Sequence, residues 1–204
     1  MERIALVNKV KTKIDEISSD STPLVDVGMS DENPVDQIIE SLLDESAVEI
    51  LLKAPFYRLN ISSAEVDPEQ DVVDTTIGTF ILPKDFLRLV YFKMSDWQKP
   101  VTELAMKGDE ISNRQYNKHI RGGIARPVGV LSKDERGMLI EYYSTKEQLH
   151  SVTEFKYIKR ETAEKLPDQI VDALVWVCAG KVMSVFGNEA AAKNAYDNAQ
   201  SLMM

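Results

Sequence analysis

The chain has 204 residues with 24 Lys and Arg against 33 Asp and Glu, a net charge of -9 and a pI near 4.8, a balance that excludes a general nucleic-acid binder because phosphate neutralisation needs a basic face. Apolar residues at 44% and charged residues at 28% are ordinary globular usage and exclude global disorder. A single cysteine, Cys178, and two histidines, His119 and His150, exclude an internal disulfide and a thiolate zinc cluster, so no metal or other cofactor is expected.

Charge and periodicity change together along the chain. Residues 1–55 hold 5 basic and 12 acidic residues (net -7), residues 56–160 hold 16 and 15 (+1), and residues 161–204 hold 3 and 6 (-3). Three parts are predicted: N-terminal helices over 1–55 with a flexible linker at 18–33, a β-rich insertion over 56–160, and a C-terminal helical hairpin over 161–204. The expected fold class is α+β, with the terminal helices forming a bundle and an antiparallel meander inserted between them.

The first helix is predicted over 3–17, where Ile4, Val7, Val10, Ile14 and Ile17 recur at helical spacing. Its apolar stripe is narrow, so it packs either on its own domain or on a neighbouring subunit. Ile4, Val7, Val10 and Ile14 are therefore candidate oligomer-interface residues. The polar stretch 18–32 reads as a connection. A second helix begins at Asn33-Pro34, with Asn33 as cap and Pro34 at the first helical position, and is stopped by Pro55.

Strands are predicted over 75–82, 87–94, 128–131, 138–143 and 152–158, with turn chemistry between Asp96 and Val101 and a hairpin at Asp134-Glu135-Arg136-Gly137. Residues 109–120 read as a short helix or irregular chain. Trp97, at a turn tip, is either an exposed anchor for a partner or a plug in the meander core. A helix starting at Pro167 is apolar on nearly all sides and therefore central. It is followed by a cap at Gly187, a restart at Asn188 and a close-packing face of Ala191, Ala192, Ala195, Tyr196 and Ala199. The apolar run 173–186 contains Lys181 and is too short for a bilayer, which needs about 20 residues. No secretion signal opens the chain, the composition suits a reducing cytosol, and no membrane partner is expected.

No GxSxG, Walker loop, HExxH, GxGxxG or CxxC motif is present, so the chain is not expected to be an enzyme. Cys178 lies in an aliphatic run and reads as an inert core thiol. His119 and His150 read as surface residues. The local feature with chemical content is the basic stretch holding Arg114, Lys118, Arg121 and Arg126 around Gly122-Gly123. It is either a solvated loop or a contact for a partner or DNA, with the glycine pair letting the loop adapt.

Four stretches occur in an order that resembles the head-to-tail connector adaptors of short-tailed bacteriophages: LDESAVEILLKAP at 43–55, LPKDFLRLV at 82–90, WQKPVTE at 97–103, and a hairpin from LPDQIVDAL at 166–174 through Gly187-Asn188 to Ala199. The ring proteins of crAss-like phages are similar in size. The resemblance implies a ring, commonly of twelve copies, beneath the portal protein. Such a ring extends the DNA channel, joins the capsid vertex to downstream tail or neck proteins, and resides in the virion after assembly in the host cytoplasm. The chain departs from some adaptors in stopping just past its last helix, so a clasping C-terminal arm is not expected. In a ring, acidic walls let DNA pass without tight binding, and Asp36, Glu40, Asp44 and Glu45, with Glu2, Asp15, Glu16 and Glu49, are the candidate lumen-facing acids. The alternatives are a small enzyme of unrecognised type, or a monomeric protein- or nucleic-acid-binding module using the basic loop at 114–126.

Overall fold

The structure, a computed structural model, describes residues 1–18, 34–63, 72–74, 77–145 and 151–204. Residues 19–33 of the predicted linker, with the Asn33 cap, and also His150 and the start of the first predicted strand lie outside the described residues, while Ser18 ends the first helix. The fold is α+β, with helices at both ends of the chain flanking a largely antiparallel β region. It divides into two compact units, one built from Met1–Asn60 with Arg160–Met204 and the other from Ile61–Lys159.

The helical unit contains α1 (Arg3–Ser18), α2 (Pro34–Lys53), α4 (Asp168–Val185) and α5 (Glu189–Met203). Helix α4 is its centre and packs against the other three. Eleven of its residues are buried, from Ile170 to Met183, because apolar positions occupy most of its circumference and leave only a narrow exposed polar strip at Asp168, Gln169 and Asp172. Pro55 ends α2, since it lacks an N–H and disfavours a helical residue before it. The last bond of that helix runs from the Ala54 N–H to the Ile50 carbonyl at 2.8 Å. Between α4 and α5, Gly187 takes a φ of 75°, and the Asn188 side chain accepts the Ala191 N–H at 3.1 Å. Ala191, Ala192, Ala195 and Ala199 are the buried face of α5, so small side chains bring the two backbones of the hairpin together.

The β unit holds two sheets. One has the order β1-β8-β4, from β1 (Ser62–Ser63), β4 (Phe86–Met94) and β8 (Val152–Lys159). The other has the order β2-β3-β7-β6-β5, from β2 (Val72–Asp74), β3 (Ile77–Ile81), β5 (Leu104–Met106), β6 (Gly129–Asp134) and β7 (Gly137–Tyr143). The predicted hairpin joins β6 to β7, with Gly137 at φ 129°. The remaining pairing is not that of a sequential meander: β4 pairs with β8, β3 pairs with β7, and β5 pairs with β6 in parallel, Leu104 opposite Gly129. Strand patterning specifies which face of a strand is buried but not its neighbour, which explains the difference. A parallel pair also needs a long crossover. Residues 107–128, with helix α3 (Glu110–Gln115), form it.

Aromatic rings from both sheets fill the core of this unit. Phe80 on β3 lies 5.4 Å from Phe92 on β4 and 4.8 Å from Phe155 on β8, and Phe92 lies 6.1 Å from Tyr142 on β7. Gly78 leaves room for the Tyr142 ring, whose hydroxyl occupies the space a Cβ would take.

Candidate interaction surfaces

Helix α1 turns its seam inward. Val7, Val10 and Ile14 are buried, together with Leu6, where α1 packs on α4 and α2, so these three residues are not a free oligomer seam. The narrow stripe suffices because α4 is apolar on the side that receives it. Of the four candidates only Ile4, 72% exposed, faces solvent. Of the two roles open to Trp97, the structure shows the core plug and not the exposed partner anchor. Trp97 is 3% exposed, its ring edge-on to Phe92 at 5.5 Å and to Tyr142 at 6.4 Å, and it closes the aromatic core rather than standing out as an anchor.

The candidate lumen acids divide into paired and exposed groups. Asp36 pairs with Lys11, and Asp44 takes Arg3 at 3.4 Å while accepting the Ala163 N–H at 3.1 Å. Glu45 and Glu49 share Lys181 at 2.8 and 3.2 Å, and Glu49 also takes Lys53 at 2.6 Å. Lys13 bonds Glu16 at 2.7 Å. Arg3 further binds Glu164 at 2.8 Å, and that hydrogen bond holds the Glu164 carboxyl down at about 2. Asp36, Asp44, Glu45 and Glu49 thus fasten helices to one another as well as charging the surface, whereas the Lys13–Glu16 pair lies within α1. Glu2, Asp15 and Glu40 have exposed side chains, and the Glu45 side chain remains 68% exposed beside its lysine.

The basic stretch is the crossover between β5 and β6, and its backbone is held. Gln115, buried at the end of α3, donates from Nε2 to the Ile111 carbonyl at 2.8 Å and accepts the Gly122 N–H at 2.9 Å. The Asn117 carbonyl accepts the N–H groups of Ile120 and Arg121, the Asn117 side chain accepts that of His119, and Gln98 N–H reaches the Ile124 carbonyl at 3.0 Å. The expectation that Gly122-Gly123 lets the loop adapt does not hold at Gly122. A Cβ there would come within 2.6 Å of the Arg126 carbonyl oxygen, so this glycine serves close packing rather than freedom. Lys118 and Arg126 are exposed, Arg121 is half-buried, and Arg114 pairs with Glu110.

Two features of this region escape sequence reasoning. The first is Glu141 on β7, whose carboxylate accepts Lys107 at 2.7 Å, Tyr143 at 2.8 Å and Tyr116 at 3.3 Å, fastening the first half of the crossover to the sheet. Burial pushes its pKa up, but the bonds from Lys107, Tyr143 and Ser132 outweigh burial and leave it below the ordinary value of 4.5. A carboxylate so saturated with donors is an anchor, not a base. The second is that Ile111, Tyr116 and Ile120 stand more than half exposed among the cations. Their spacing is not strictly helical, and only the absence of any carboxylate between Glu110 and Asp134 marks the stretch in sequence.

Cys178 is buried, with Sγ 3.9 Å from the Ile39 carbonyl oxygen, and burial pushes its thiol up to about 12. Among the described residues, no group of three His, Cys, Asp or Glu side chains is placed to hold a metal ion, and no helix is long and apolar enough to cross a membrane. No protein-family model matches the chain, and a search of curated proteins finds no match.

Proposed function

We propose that the chain is a structural adaptor that forms a ring beneath the portal of a short-tailed phage, extends the DNA channel and joins the capsid vertex to the tail. The observation that carries this reading is the order of the four connector-like stretches, set in a helical unit interrupted by a β unit. Stretch 43–55 supplies the buried end of α2 and its Pro55 stop, 82–90 leads into β4, 97–103 carries Trp97 and the Val101 bridge to Phe92, and 166–199 is the α4–α5 hairpin. Each therefore contributes core or turn residues, and what they support is an architecture to which docking surfaces are added.

In this reading the partners are further copies of the chain, the portal protein and downstream neck or tail proteins, and the place of action is the neck of the virion. Packaged DNA passes without adhesion, because exposed acids such as Glu2, Asp15, Glu40 and Glu45 offer phosphate no favourable contact. The test is to mix the full chain with the portal protein of the same genome and image the product. A ring of adaptor copies on one face of the portal is expected. Failure to bind the portal, together with absence of the chain from purified particles, overturns the reading.

A further inference from the structure

We propose that the crossover surface over residues 111–126 docks against the acidic helical unit of a second copy of this chain, in a head-to-tail contact. The surface combines three properties. It is rich in cations, Lys118 and Arg126 being exposed in a stretch that contains no carboxylate between Glu110 and Asp134. It is apolar in the same place, with Ile111, Tyr116 and Ile120 exposed by 54%, 55% and 58%. It is also braced, because the Gln115 side chain accepts the Gly122 N–H, the Asn117 side chain accepts the His119 N–H and Glu141 accepts the Tyr116 hydroxyl.

Aliphatic and aromatic side chains interleaved with arginine are the composition of a protein interface, and a fixed backbone lowers the entropy lost on docking. A phosphate groove would use the cations but would leave Ile111 and Ile120 without a role.

Charge complementarity selects the occupant. The helical unit, Met1–Asn60 with Arg160–Met204, holds 10 basic and 18 acidic residues, net -8, whereas the β unit, Ile61–Lys159, holds 14 and 15, net -1. One chain thus carries both a cationic apolar surface and a strongly acidic unit, and a second copy supplies the complement. Because the two surfaces differ, the contact is heterologous and propagates into a closed ring or a filament. Closure into a ring rests on the adaptor reading, whereas the contact itself rests on the surface.

The test uses the full chain as an equal mixture of ordinary and 15N-labelled protein, treated with a zero-length carbodiimide crosslinker and followed by mass photometry. Crosslinks between Lys118 and helical-unit carboxylates are expected in mixed-isotope pairs. Self-association is expected to weaken with added salt and by about tenfold or more in Lys118→Glu/Arg126→Glu, both sites being exposed and away from the core. In a Trp176→Phe background, the fluorescence of Trp97, which reports the core of this unit, is expected to be unchanged by the two substitutions. Crosslinks confined to single copies, a monomer at both salt concentrations, or equal association of variant and parent overturn the proposal. So does binding of a DNA duplex that the variant loses while no self-association is seen. A chain that binds the portal yet fails these criteria removes the contact and leaves the adaptor reading. A chain that self-associates through this surface and ignores the portal does the reverse.

Discussion

Gly78 and Glu141 are single residues on which the β unit depends in opposite ways, one by having no side chain and the other by saturating a charge. Gly78→Ala would place a methyl group in the space of the Tyr142 ring. It is expected to destabilise the β unit by about 1–3 kcal/mol, the range for overpacking a filled core, as measured by urea unfolding. The Glu141 side chain is 13% exposed and accepts bonds from Lys107, Tyr143 and Tyr116, so Glu141→Gln is expected to cost about 1.5–3 kcal/mol and to loosen the crossover, read as faster amide exchange over 107–121. The sign of the pH dependence follows from its depressed pKa. Stabilisation by the charged form is fully present above the ordinary value of 4.5 and is lost as pH falls through the lower folded value, so the parent weakens there and the Gln variant loses that part of the slope. Neither residue stands out in the sequence, because the role of each is set by a partner far along the chain: Tyr142 for Gly78, Lys107 for Glu141.

The helices were legible as elements. Apolar spacing, Pro55, Gly187 and Asn188 each act within a few residues of their own position, and the α4–α5 hairpin follows from them. Its close approach predicts that Ala195→Leu, at a fully buried site, lowers stability by about 1–3 kcal/mol, while Asn188→Ala, which removes the cap, costs about 1 kcal/mol; denaturant midpoints of the two variants check this. What a helix packs against is a different kind of fact. The α1 seam reads equally well as a subunit boundary or a domain contact, and its outcome depended on an apolar face of α4 more than 150 residues away. The strands show the same limit. The positions of β3, β4, β6, β7 and β8 and the turn at Gly137 were readable, whereas the short strands β1, β2 and β5 were not; alternation of apolar residues is identical whichever strand lies alongside, so the parallel β5–β6 pair and its crossover were not readable either.

The whole molecule offers a natural pair of reporters, since it has two tryptophans, Trp97 in the β unit and Trp176 in the helical unit, where Lys13 lies 5.0 Å from the ring centroid. Phe92→Ala, at a fully buried core position, is expected to cost the β unit about 3–5 kcal/mol. Paired with Trp97→Phe or Trp176→Phe to isolate one signal, it is expected to shift the Trp97 transition to lower denaturant and leave that of Trp176 in place, because the aromatic core lies wholly within Ile61–Lys159. A common shift of both signals would show one cooperative unit instead.

By itself the sequence determined the α+β class, the ends of the C-terminal helices, the central place of α4, and the uneven distribution of a net charge of -9. These follow from local preference and composition, which do not depend on distant parts of the chain. Only the tertiary structure decided that Val7, Val10, Ile14 and Trp97 are core, that Asp36, Asp44, Glu45 and Glu49 are partly neutralised by lysines and arginines on other helices or turns, and that the basic stretch is a pinned crossover. Burial and charge pairing are properties of neighbours in space, and a side chain's own type and position in the chain do not specify them.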